Sequence, residues 1–66
     1  MNRKEWKELA ISVLEGSAND LRIKAAYLRK ITHPSTEGVS AAEALELAAD
    51  ELRLNADSLR GEAEGI

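Results

Sequence analysis

Alanine recurs at every seventh residue in the C-terminal half of the chain, at Ala42, Ala49, Ala56 and Ala63, and leucine follows each of the first three, at Leu45, Leu52 and Leu59. A seven-residue spacing split into steps of three and four is the period of a single helix face, with the small side chains at heptad position a and the large ones at d. The N-terminal half obeys the same rule: Ala18 and Ala25 fall at a, Leu14, Leu21 and Leu28 at d, and Ile11 opens the run. Alternating small and large residues let facing layers interlock at close interhelical distance. Two helices with matching layers and a short connection make an antiparallel hairpin. The chain is therefore read as all-α, one helical domain over residues 1–66. Its expected oligomer core is Leu14, Ala18, Leu21, Ala25, Leu28, Leu45, Ala49, Leu52, Ala56 and Leu59.

Element boundaries follow from capping chemistry. Asn2 is placed to cap a first helix over about 2–32. The stretch Thr32–Ser40 contains Pro34, Gly38 and several hydroxyl residues, and Pro34 pushes His33 away from helical angles. This predicts a connection over 32–40, with His33 ending the first helix. Ser40-Ala41-Ala42-Glu43 then reads as a capping box with Val39 as its hydrophobic staple, so the second helix is expected over about 41–62, its end frayed by Gly61 and Gly65. Two readings compete around Gly16. Gly16-Ser17 could break the chain into a three-helix bundle, with Ser17-Ala18-Asn19-Asp20 as a fresh cap. Against that, Ile11, Leu14, Ala18, Leu21, Ala25 and Leu28 keep one register through Gly16, which argues for a single long helix with a kink allowed there.

A chain of 66 residues is near the lower limit for independent folding, and small domains gain stability from disulfides, metals or association. With no cysteine and one histidine, association is the remaining route. The first helix gives it a surface. Trp6, Val13 and Tyr27 fall at c, Ala10 and Ile31 at g, Leu9 and Ile23 at f, so the apolar arc is wider than one partner helix can cover. Self-association into a four-helix or larger bundle is expected. Leu47 and Leu54, at f of the second helix, join Leu9, Val13 and Ile23 as a candidate second interface.

Charge is divided unevenly. Residues 1–33 carry seven basic and four acidic groups, a net +3, while residues 34–66 carry Arg53 and Arg60 against eight acids, a net −6. The two halves should attract each other, and the acidic half disfavours general DNA binding. Two clusters are candidate ligand sites. Arg3, Lys4 and Lys7 surround Trp6, a set that could stack a base while cations hold phosphate; the plainer reading is an apolar arc ending beside a basic terminus. Ser17, Asp20 and Lys24 interrupt the arc, with Tyr27 one turn on, either as an interface pair linking Asp20 to Lys24 or as a pocket between subunits in which Lys24, Tyr27 and Arg22 hold an anion.

Catalytic sets fall short. No phosphate-binding loop, zinc-protease motif or calcium loop is present, and His33 beside Pro34 has no nucleophile partner in pattern. The chain is expected not to be an enzyme, and no cofactor or metal is implied. No apolar run reaches the roughly 20 residues needed to span a bilayer and no signal peptide is visible, so a cytoplasmic location is expected.

The heptads together with Ala49-Asp50-Glu51-Leu52 resemble the second helix and core layering of the Rop family, small RNA-binding regulators of plasmid copy number. The resemblance implies a helical hairpin that dimerises into a four-helix bundle and, for function, binding to structured RNA. None of that family's RNA-contacting positions is matched, so none is carried over. The expectation from the residues themselves is a small homo-oligomeric binding protein of the regulatory or inhibitory type that phages and plasmids encode, acting on a partner protein. The alternative is an anion binder, for structured RNA or a nucleotide-type ligand held between subunits.

Overall fold

The computed structural model describes the backbone of residues 2–64 and the side chains of 2–61. Gly65, expected to fray the second helix, and the Ala63 side chain, expected at position a, lie outside that range. Two helices make up the fold: α1 runs Arg3–Thr32 and α2 runs Thr36–Glu64. They pack side by side along their length as a flat antiparallel hairpin measuring 48 × 18 × 11 Å.

Asn2 starts α1 as its sequence position suggests. Its backbone is extended, and its side-chain oxygen accepts the Glu5 N–H at 2.9 Å. The Glu5 carboxylate answers by accepting from the Asn2 amide at 3.1 Å, so the two residues hold the first turn from both ends. α1 then continues for 30 residues, about 45 Å at 1.5 Å per residue. It passes through Gly16 without a break. A glycine costs a helix roughly 1 kcal/mol relative to alanine, but a break here would throw Ile11 and Ala18 out of phase, and both are buried against α2. The packing register outweighs the local propensity, and the three-helix alternative is not adopted.

The connection is shorter than its composition implies. It comprises residues 33–35 rather than 32–40, and α2 begins at Thr36, not near 41. His33 ends α1 in an extended conformation (φ −58°, ψ 131°), as a residue preceding proline should. The cap of α2 is Ser35: its hydroxyl accepts the Gly38 N–H at 3.3 Å, and its carbonyl accepts the Val39 N–H at 3.1 Å. The capping box expected at Ser40-Ala41-Ala42-Glu43 is therefore helix interior, and Val39 is a half-buried residue of the first turn rather than a staple outside it. The far end differs as well, since α2 runs through Gly61.

Gly38, whose composition points to a loop, is instead a point of contact. A Cβ built on it would stand 1.9 Å from Thr32 Oγ1 and 2.2 Å from Thr32 Cβ. The Thr32 hydroxyl in turn donates to the Leu28 carbonyl at 2.6 Å, which holds that side chain against its own helix. The absence of a side chain at 38 thus lets α2 leave the turn directly against the end of α1.

The seam between the helices is made of methyl groups. Ala25, Ala42, Ala49 and Ala56 have no exposed surface, Ala18 is 1% exposed, and Ile11 is the one larger apolar residue among the described residues to be buried. Small side chains at the contact bring helix axes towards the short end of the usual 8–10 Å range. The d leucines do not share this burial: Leu14, Leu21, Leu28, Leu45, Leu52 and Leu59 are all only half-buried.

Two glycine substitutions separate these effects. Gly38→Ala should lower stability by about 1–3 kcal/mol, because Thr32 must shift to admit the methyl group. Gly16→Ala, with nothing within 4 Å of the added Cβ, should raise it by about 0.5–1 kcal/mol. Urea melts of the two variants, followed by helical circular dichroism, check both signs.

Candidate interaction surfaces

An antiparallel pair joined at its a positions has two broad faces. Position e lies on one side of the seam in both helices, and position d lies on the other. The ion pairs mark the e face. Glu15 binds Arg60 at 2.8 Å, Arg22 binds Asp50 at 2.9 Å and Arg29 binds Glu46 at 2.5 Å. The attraction between a basic and an acidic half thus resolves into specific bridges, one of which, Glu15–Arg60, runs against the overall sign. Hydrogen bonding to Glu46 is the main reason the Arg29 guanidinium holds its proton beyond the ordinary arginine range, with added attraction from Glu46 and Glu43. A raised value of this kind contributes stability at every pH below the unfolded arginine value and loses it only as pH climbs through the folded one. The contact is therefore constant across neutral and acid conditions so far as Arg29 is concerned.

The opposite face carries the six d leucines in two rows, flanked on α1 by the g residues Ala10 and Ile31 and on α2 by Ala41 and Ala48. No large side chain among the described residues is fully buried. Every large apolar group among the described residues therefore keeps part of its surface in water, Ile11 the least at 8%.

A second apolar surface lies on the outer edges, roughly 140–160° around each helix from the seam. On α1 it consists of Trp6, Leu9, Val13, Ile23 and Tyr27, between 46% and 63% exposed. On α2 it is Leu47 and Leu54, 67% and 65% exposed. These edge residues and the d leucines belong to different surfaces. Covering one leaves the other open.

The charged clusters are rearranged relative to their sequence grouping. Arg3, Lys4 and Trp6 are exposed on the first turns of α1, but Lys7 is 5% exposed and is not part of that surface. Position 7 is a d position, seven residues before Leu14, so its aliphatic stem is carried inward with the leucine row. Asp20 and Lys24 pair at 2.9 Å across one turn, with both side chains exposed, and Tyr27 lies on the same side of α1. Arg22 does not join them. It sits at e, on the far face, held by Asp50. A shallow groove near the end of the hairpin, lined by Lys4, Glu8, Ile11, Ser12, Glu15, Gly16 and Arg60, mixes both signs of charge. His33 is exposed in the connection. Among the described residues no three potential metal ligands cluster, and none of the helices is long and apolar enough to cross a membrane.

The interhelical bridges are not among the sequence expectations although a signal is present: charged residues, Glu15, Arg22 and Arg29, recur every seventh position beside the alanine row. The chain matches no protein-family model, and no curated protein or solved structure matches it.

Because the interhelical bridges are solvent-exposed, each should be worth little by itself. Asp50→Ala is expected to lower stability by under about 1 kcal/mol, an effect that shrinks further in 1 M salt. Ala49→Leu, which forces a side chain into a seam with no free surface, should cost about 1–3 kcal/mol at any ionic strength. Thermal melts at low and high salt distinguish the two.

Proposed function

We propose that this protein is a non-catalytic, self-associating helical binding protein that acts on a partner protein, in the manner of the small regulators and inhibitors encoded by phages and plasmids. The observation that carries this reading is the separation of two apolar surfaces. The leucine face offers a surface for self-association, and the outer edges, with Trp6, Leu9, Val13, Ile23 and Tyr27 on α1 and Leu47 and Leu54 on α2, remain exposed whatever covers it. Contiguous exposed apolar stripes on a small chain mark places where other macromolecules dock. Aromatic residues such as Trp6 and Tyr27 supply large contact area at low entropic cost, which suits them to that task.

The competing reading is an anion binder, for structured RNA or for a nucleotide-type ligand between subunits. Arg3, Lys4 and Trp6 favour it, since they share the exposed first turns of α1. It draws less support from the other basic residues, because Arg22 and Arg29 already face carboxylates and Lys7 is buried.

Affinity purification of the tagged chain from its native host tests the preferred reading. The expected result is a co-purifying protein that is lost from the Leu47→Glu/Leu54→Glu variant, with the helical signal and the solution mass unchanged. A partner retained by that variant moves the contact off the α2 edge. Retention of RNA instead, falling steeply between low and moderate salt, replaces the protein partner with the anion-binding alternative.

A further inference from the structure

The leucine face carries two indications of what covers it. The first is area. A folded monomer of 7.2 kDa is expected to expose about 4,100 Å² by mass scaling, whereas this chain exposes 4910 Å². The surplus, roughly 800 Å², equals what one partner contributes to an interface of standard size. The second is shape. A hairpin only 11 Å thick, with two parallel rows of leucine on one flat side, is complementary to another copy of itself. Stacking two such slabs encloses the leucines between four helices.

Two-fold symmetry allows two ways of stacking. With the axis along the helices, α1 of each copy lies on α2 of the other and both connections sit at one end. With the axis across the helices, α1 lies on α1, α2 lies on α2, and the connections sit at opposite ends. Both keep neighbouring helices antiparallel, so helix dipoles do not choose between them. Charge does. The half that contains α1 carries +3 and the half that contains α2 carries −6, so the second arrangement sets like on like and the first sets basic on acidic.

Individual residues agree with the first arrangement. The bridges Glu15–Arg60 and Arg29–Glu46 fix which residues of α1 and α2 stand at one height in the hairpin. A two-fold axis along the helices preserves height. Lys24, nine residues after Glu15, therefore comes level with the partner's Glu51, nine before Arg60; Asp20 comes level with the partner's Asn55. Lys24 at g borders the leucine face, and Glu51 at c lies one position further round, at the outer edge of α2, on the side where the two copies would meet and within the span of a long lysine side chain. Within one chain Lys24 has the exposed Asp20 as its ion-pair contact, and Glu51 is exposed.

We propose that the protein is a two-fold dimer closed through the leucine face, with α1 of each copy against α2 of the other and both connections at the same end. This rests on the self-associating reading given above and adds the surface, the symmetry and the pairing to it.

The chain has no cysteine, so His33→Cys gives a unique labelling site in the exposed connection of the otherwise intact protein. Pulsed electron resonance between nitroxides on the two copies should return a distance below about 30 Å. The rejected arrangement separates the connections by about 45 Å, the length of a 30-residue helix at about 1.5 Å per residue, and a distance near that value overturns the proposal while leaving self-association intact. Sedimentation of the same sample as a folded single chain overturns both. Charge exchange provides the second measurement. Lys24→Glu and Glu51→Lys should each weaken dimerisation about tenfold, and the double variant should recover most of the loss. Losses that simply multiply in the double variant count against the pairing.

Discussion

Contact between the two helices depends on alanine. Five alanines with essentially no exposed surface line the seam, and the rest of the architecture follows from how close they bring the backbones. At that separation the e positions of α1 are within reach of acids and arginines on α2, so Glu15, Arg22 and Arg29 all find partners. Over the stretch lined by alanine the same closeness leaves no room between the helices for anything as large as leucine, and Ile11 is the one larger apolar residue among the described residues to be buried. The large side chains are displaced to one flank, where they stay half in water. A chain built this way has a well-specified internal contact and an unfinished core.

That division of labour sets the functional reading. Burying large apolar groups is the main source of folding free energy, and here one copy buries almost none of them completely. The hairpin therefore leaves most of its large apolar groups in contact with water. Its leucine rows, its ion-paired reverse face and its aromatic outer edge are three chemically distinct surfaces on a body 48 Å long. Among the described residues the concave feature is the shallow mixed-charge groove at the end of the hairpin, whereas the helix surfaces offer extended faces of the kind that helix-in-groove recognition uses.

Much of the fold was legible in the sequence because a seven-residue period is a strong constraint. The alanine positions, the antiparallel pairing and the continuity of α1 through Gly16 follow from the register, and the Asn2 cap follows from the chemistry of its side chain. The turn was misjudged because composition and geometry point opposite ways there. Gly38 and the hydroxyl residues around it have loop chemistry, but Gly38 is required by its approach to Thr32, and Ser35 supplies a cap five residues earlier than Ser40. Lys7 was grouped with its neighbours in sequence rather than with its neighbours on the helix. Its heptad position, and not its charge, decides where it lies. The candidate binding residues divide along the same line: Asp20, Lys24 and Tyr27 share a side of α1, while Arg22, two residues from both Asp20 and Lys24, lies about 160° around the helix from them.

A seam of identical methyl groups repeating every seven residues is nearly blind to translation. Sliding α2 by one heptad, about 10 Å along the axis, would still set Ala18 and Ala25 opposite alanines of α2 and forfeit little contact over the middle of the seam. The tight passage at Gly38 removes that degeneracy. It seats the start of α2 in a notch against Thr32 that exists at only one place along α1, and the three-residue connection has no slack with which to reach another. The turn is thus the index mark of the hairpin, and lengthening it would create a family of shifted helix pairs from a seam that could not tell them apart.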